Sequence, residues 1–334
     1  PRARGPQRRT RVTNLIEARG LAKRFGSIRA LDGVSFTVPE GRIVGLIGPD
    51  GAGKTTALAV SVGLLRIQGG TVNVLGAGPF DPQQHTGRVT LLPQDSRLPP
   101  HATPAELLAY YARLQGLAPR QATASIAEVL AWTHLEARRD DPVRTLSHGM
   151  TRRLMIAQAF LGQPELVLLD EPLSGLDPRE AARIRELIQQ RRGSRATVAI
   201  SSHNLHEIEA LCDEVAFIEA GRRLRQSPVA GITEQHTRLT YRLAAASAPL
   251  AELQALDPAW SWTWDQAGRE LSVSFAGPSG IAEVNARVLE ILLRHQVGIL
   301  EIRRGAGLER AYLAMSGLAA AGDAIPPTRG NEKV

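Results

Sequence analysis

Cysteine is nearly absent from these 334 residues: Cys212 stands alone, so no internal disulfide can form and a reducing compartment is expected. Its neighbours Leu211 and Val215 are apolar, which favours a buried structural thiol over a reactive one. Aromatic residues make up only 4% of the chain, and no unbroken apolar run approaches the ~18 residues of a membrane span. The opening Pro1-Arg2-Ala3-Arg4 lacks the apolar region of a secretory leader, and a start without Met points to trimming. Lysine is as scarce: Lys23, Lys54 and Lys333 are the full set, and arginine supplies the rest of the positive charge. The net charge of +7 raises the question of nucleic acid. Part of the excess lies in a basic arm over residues 1–13 (Arg2, Arg4, Arg8, Arg9, Arg11), a pattern of a solvated tail or of a contact with an anionic membrane face. No basic sheet interleaved with aromatics and no zinc motif accompanies it, so no nucleic-acid partner is expected.

Against that arginine background, one lysine closes the run Gly48-Pro49-Asp50-Gly51-Ala52-Gly53-Lys54-Thr55-Thr56. Arg42 to Ile47 before it reads as a short buried strand, and Thr55 to Leu65 after it as a helix. Gly48, Gly51 and Gly53 let backbone N–H groups turn inward around phosphate oxygens, and the helix N-terminus adds its positive end. Lys54 can bridge β- and γ-phosphates, and Thr55 can place its hydroxyl on Mg²⁺. Further on, Leu166 to Leu169 is too short for a helix and suits a central parallel strand. It delivers Asp170 and Glu171, one carboxylate to hold the metal and one to take a proton from water. Together the two motifs predict a nucleoside-triphosphate machine of the α/β class.

The stretch between them carries further signals. Arg88 to Leu92 reads as a strand running into Pro93-Gln94. Thr103-Pro104-Ala105-Glu106 has the spacing of a capping box, and a second helical pattern covers Gln121 to Thr133. Then come Leu146-Ser147-His148-Gly149-Met150 and an amphipathic helix over Thr151 to Phe160. Here the sequence resembles the ATP-binding subunit of ABC transporters. Ser174-Gly175-Leu176-Asp177 looks like that family's D-loop, and His203, after the strand Thr197 to Ser202, like its switch histidine. The resemblance runs from Leu15 to about Gln226. His148 and Met150 depart from the familiar Leu-Ser-Gly-Gly-Gln.

The resemblance implies a P-loop NTPase core with an antiparallel β subdomain and a helical signature subdomain at about 98–162. It implies ATP and Mg²⁺ as ligands. Phe25 would stack on adenine, with plain packing as its other reading. Gln94, Thr55 and Asp170 would meet the metal, Glu171 would polarise water, and His203 would contact the γ-phosphate. Ser147 and Gly149 would touch ATP held by a second ATPase subunit, identical or not, and Asp177 would communicate across that dimer. A separate polytopic membrane subunit would be the coupled partner, at the cytoplasmic face of the inner or plasma membrane.

Past Gln226 the composition changes. Residues 227–236 look like a linker, and 237–318 like a small α+β appendage, with 319–334 a flexible tail. Strands are expected at Thr237 to Ala244, Glu270 to Phe275 and Gln296 to Ile302, and helices at Ile281 to Arg294 and Leu308 to Met315. Pro249 to Asp257 reads as loose. Trp260, Trp262 and Trp264 share one face if extended, for packing or as a ligand box. The appendage resembles that of ABC-2-type exporter ATPases, which makes an ATP-hydrolysing exporter motor the leading expectation. A soluble ABC ATPase acting on nucleic acid or ribosomes is the alternative; the single nucleotide module and the lack of a coiled-coil insertion weigh against it. A protein that holds ATP without turnover is the third.

Overall fold

The computed structural model describes residues 14–191, 196–235, 237–275, 280–305 and 307–316. The basic arm at 1–13 and the tail from 317 onward lie outside the described residues. The chain divides into two units, Pro1–Val229 and Ala230–Val334.

In the first unit, β1 (Asn14–Phe25) and β2 (Ile28–Pro39) form an antiparallel hairpin, with Gly26 at φ +59° in its turn. β3 (Ile43–Ile47) leaves that sheet and is buried at every residue. The loop 48–53 follows, then α1 (Lys54–Ser61). The helix stops short of the expected Leu65 because Gly63 turns left-handed at φ +71°. β4 (Gly69–Val74) returns to pair with β1, giving a three-stranded sheet in the order β2-β1-β4.

The short α2 (Pro82–His85) leads to β5 (Val89–Leu92), and three helices come next: α3 (Pro104–Leu114), α4 (Pro119–Trp132) and α5 (His148–Ala159). They close around Leu108, Leu130, Leu154 and Leu161. The capping box forms as expected, with Glu106 N donating to Thr103 Oγ1 (3.2 Å) and Thr103 N to Glu106 Oε2 (2.9 Å). Two helices begin earlier than periodicity indicated. α4 starts at Pro119, whose missing N–H costs nothing in a first turn. α5 starts at His148 because Ser147 caps it, Oγ accepting from Met150 N at 3.2 Å.

β6 (Leu166–Asp170), α6 (Pro178–Gln190), β7 (Thr197–Ser202), α7 (Leu205–Leu211), β8 (Glu214–Glu219) and β9 (Arg222–Pro228) complete the unit. The second sheet runs β5-β6-β7-β3-β8-β9, parallel except for the edge strand β9. Burial on both faces explains why β3 and β6 read as unbroken apolar runs. Cys212 is buried beneath β3, where a Cβ on Gly45 would lie 3.0 Å from its Sγ. From the central β3 the chain passes to the edge strand β5, returns through β6 and β7, and then crosses β3 to β8. The connections on the two sides of β3 thus run in opposite senses, and open α/β sheets bind ligands beyond the carboxyl ends of strands at such a point. Residues 227–236, expected as a linker, instead form the end of β9 and α8 (Val229–Gln235), with His236 outside the described residues.

The second unit holds β10 (Thr237–Leu243), α9 (Leu250–Gln254), β11 (Ser261–Asp265), β12 (Glu270–Phe275), α10 (Ile281–Arg294), β13 (Ile299–Gly305) and α11 (Gly307–Met315). Its strands form one antiparallel sheet, β11-β12-β10-β13. Leu239, Tyr241, Leu243, Leu271 and Val273 alternate inward and meet Val284, Val288 and Leu292 of α10. The segment expected to be loose contains α9, anchored by the fully buried Leu253. β13 starts later than Gln296 because that residue adopts φ +53°. Trp260 is buried, and Trp262 and Trp264 pack against the same core, so the tryptophans are packing groups. Among the described residues no helix is long and apolar enough to cross a membrane.

Tyr241 is fully buried and donates its hydroxyl to Asn285 Oδ1 at 3.0 Å; burial pushes its phenol well above the ordinary range. Tyr241→Phe should cost about 1 kcal/mol in this unit. Tyr241→Ala should cost about 3–5 kcal/mol, both read from urea unfolding followed by tryptophan fluorescence.

Candidate nucleotide site

The loop after β3 is shaped by backbone packing. A Cβ on Gly48 would sit 1.9 Å from Ile218 O, and one on Gly53 would sit 2.4 Å from Ala30 O. Gly51 and Gly53 also take positive φ, +78° and +104°. Only glycine fits, and the loop is left as a cradle of main-chain groups. Lys54 is buried, its Nζ donating to Gly48 O (2.8 Å) and Pro49 O (3.2 Å). Thr55 and Thr56 follow in the first turn of α1, Thr55 exposed and Thr56 partly so.

The register of the parallel sheet brings the acidic strand to the same level. Leu46 pairs with Ser201, and Ser201 with Asp170, in one row. Ser201 then does two jobs: its hydroxyl donates to Asp170 Oδ1 (2.5 Å) and accepts from Glu171 N (2.9 Å). Glu171 is 5% exposed and has φ +46°, a left-handed backbone that costs a residue with a Cβ about 1–3 kcal/mol. Its carboxylate lies between a lysine and a histidine: Oε1 is 3.4 Å from Lys54 Nζ, and Oε2 is 3.0 Å from His203 Nδ1. Oε1 accepts no hydrogen bond, so the contact with Lys54 is ionic. Asp50, Glu171 and His203 bring ligand atoms within 4.8 Å of one another, a third acid being supplied by the loop itself.

A second group gathers at the start of α5. Ser147 and His148 are exposed, and Gly149 is buried. A Cβ on Gly149 would fall 2.6 Å from the Glu180 carboxyl of α6, so a larger residue there would have to displace that side chain. His148 faces Gly175 in the loop after β6. Asp177 is the N-cap of α6, its Oδ1 accepting from Arg179 N and Glu180 N, each at 3.0 Å. Gln94, Arg97, His148, Thr151 and Met155 line an open groove of about 780 Å³. Contacts thus join Lys54, Glu171 and His203 directly and Asp170 through Ser201, while Ser147 and Gly149 lie at the start of α5, Asp177 at the start of α6 and Gln94 along the groove. Phe25 stands apart at the end of β1, 46% exposed, with Lys23 Nζ 5.3 Å above its ring; it is not a core residue.

With this geometry in place, the ABC transporter family matches residues 31–174. The Nod factor export ATP-binding protein I of Burkholderia orbicola is 31% identical over 310 residues, covering 90% of this chain and 97% of that protein. This chain belongs to the ATP-binding subunits of ABC transporters. Such subunits are ATPases. The protein of the same name from Ralstonia nicotianae is 36% identical over 64% of this chain and 67% of its own length. The linearmycin resistance ATP-binding protein LnrL of Bacillus subtilis is 33% identical over 63% and 68%. Among solved structures, an ATP-binding subunit of an ABC transporter superposes with a TM-score of 0.60 at 28% identity, covering 66% of this chain and 92% of that one. The names of the relatives accord with the exporter branch that the C-terminal appendage suggested.

Several residues of this ABC ATPase escaped sequence reasoning. Ser201 and Ser202 are polar positions in a wholly buried strand, which was the available signal. Ser202 Oγ donates to Glu207 Oε2 at 3.0 Å, and burial, with Glu171 nearby, pushes the Glu207 carboxyl above the ordinary glutamate range. A raised carboxyl pKa means that its stabilising contribution is whole at acid pH and is lost as pH rises through the raised value. Glu207→Gln should therefore melt higher than wild type at pH 8, and the advantage should vanish near pH 4, in paired thermal scans.

Proposed function

We propose that this chain is the ATP-hydrolysing motor of an ABC-2-type exporter, working with a separate membrane-spanning subunit. The observation that carries the reading is the meeting of Lys54, Glu171 and His203 past the carboxyl ends of β3, β6 and β7. The glycine cradle suits a polyphosphate, because its N–H groups and the start of α1 present positive potential to anions. Lys54 would move from the loop carbonyls to β- and γ-phosphate oxygens. Phe25, exposed at the edge of the antiparallel sheet, offers its face to adenine.

The donor set fits a hard divalent cation: a hydroxyl at Thr55, a carboxylate at Asp170 whose Oδ1 is oriented by Ser201, and an amide at Gln94. Bound there, Mg²⁺ would neutralise charge developing on the phosphates. Glu171, aimed by its neighbours, takes a proton from the attacking water. His203 is held through Nδ1 by Glu171, and its ring would contact the γ-phosphate.

Ser147 and Gly149 lie at a helix start outside the Lys54 cluster, which supports a role on the nucleotide of a second ATPase subunit facing this one. Asp177, exposed in the loop between Glu171 and α6, would then sit at the seam between subunits. The groove beside Gln94 is a place for the membrane partner to feel closure, with this subunit peripheral at the cytoplasmic face. Export as the direction of transport rests on relatives named for export and resistance, one of them matched over 97% of its length.

Glu171→Gln keeps the shape of the site and removes the base. It should bind Mg·ATP as wild type does, lose about 10²–10⁴-fold in kcat, and accumulate as a dimer on size exclusion in saturating Mg·ATP. Normal turnover by a monomeric variant would overturn the assignment.

A further inference from the structure

Arg152 is a side chain that none of the roles above uses. It sits on the first turns of α5, directly after Ser147–Met150, yet its guanidinium is turned inward and only 7% exposed. Every partner it finds is a main-chain carbonyl or a sulfur. Nε donates to Pro172 O at 2.7 Å, and one terminal nitrogen donates to Glu171 O at 2.5 Å. The other reaches toward Gln94 O at 3.5 Å and packs on Met155 Sδ at 3.9 Å. Three segments converge on one planar fork: the loop after β5, the loop after β6, and α5 itself.

The peptide flanks of Glu171 show what the fork does. Its N–H is held by Ser201 Oγ, and its C=O by Arg152. Between these two grips the residue keeps its left-handed φ of +46°, which a glutamate leaves readily if either end is released. That φ sets the direction of the Cα–Cβ bond, and hence whether the carboxylate reaches Lys54 and His203. Burial pulls the Arg152 pKa down while the nearby Asp170 and Glu171 hold it up, so the guanidinium stays charged. A lysine has one ammonium and no fixed fork, so it cannot span the carbonyls of Glu171 and Pro172 in the same geometry.

We infer that Arg152 is a positioning residue for catalysis: it locks the backbone of Glu171 in the conformation that aims the carboxylate, and ties that conformation to the start of α5. The inference rests on Glu171 acting as the base.

The test uses the full chain with Arg152→Met, Arg152→Lys, Glu171→Gln and the double variant Arg152→Met/Glu171→Gln. Readouts are steady-state ATPase, equilibrium binding of a fluorescent ATP analogue, and melting temperature. Arg152→Met should lower kcat by about 10–100-fold, the range a small misplacement of a reacting group produces, with analogue affinity within about threefold of wild type. Arg152→Lys keeps charge and stem, so it folds and gives an intermediate kcat. In the Glu171→Gln background Arg152→Met should add no further loss, because the fork acts only through that carboxylate. A folded Arg152→Met or Arg152→Lys with wild-type kcat overturns the inference, as does a loss that multiplies fully with Glu171→Gln. If Arg152→Met does not fold, the Arg152→Lys kcat decides alone. Wild-type turnover by Glu171→Gln itself would instead overturn the reading of Glu171, a separate failure.

Discussion

A buried ammonium and a buried carboxylate stand 3.4 Å apart in this protein, and much of the first unit is arranged so that they can. Neither charge is tolerable alone in that setting, since removing one partner of a buried pair typically costs about 3–5 kcal/mol. Lys54 comes from the start of α1, just past the loop after β3, and Glu171 from the loop after β6, with β7 between those strands. The row Leu46–Ser201–Asp170 must therefore stay level across three strands. A slip of one residue would reverse each strand's faces and pull the charges apart. Sheet register, which looks like architecture, is here a condition of the electrostatics.

The second constraint is conformational. Glu171 pairs with Lys54 only from a backbone region that disfavours it, and the structure offsets that strain with hydrogen bonds at both ends of the residue. A serine in the neighbouring strand accepts from its N–H, and an arginine from a helix at the far side of the loop donates to its C=O. Strain held in this way marks a functional position more reliably than burial alone. It also means that the start of α5, where Ser147 and Gly149 lie, is mechanically continuous with Glu171.

What was legible in the sequence follows from how local each feature is. The phosphate loop, the Asp170-Glu171 pair, the Thr103–Glu106 capping box and α10 are set by neighbours within a few residues, and they stand where spacing put them. Helix ends were less accurate, because α1 stops at a left-handed glycine and α5 begins at a side-chain cap rather than at the first apolar position. α8 and α9 were taken for linker and loop, since each is short and its stability comes from tertiary burial, as at Leu253. Arg152 and Ser201 could not be read at all. Their contacts with Asp170, Glu171 and Pro172 span 19 to 31 residues, and no periodicity announces a contact at that range. Phe25 remained ambiguous for the same reason, until its exposure separated a surface ring from a core one.

Two glycines of the phosphate loop make their tightest approach to main chain: Gly48 to Ile218 O of β8, Gly53 to Ala30 O of β2. The bracing is reciprocal, with Gly221 N donating to Ala52 O and Asp32 N to Gly221 O. Carbonyl groups do not change when residues are substituted. Substitutions in β2 and β8 thus leave these tightest contacts in place, and a bodily shift of either strand would deform the loop. The loop inherits its stiffness from two sheets at once, so the part that handles the ligand is insulated from mutation in the parts that support it.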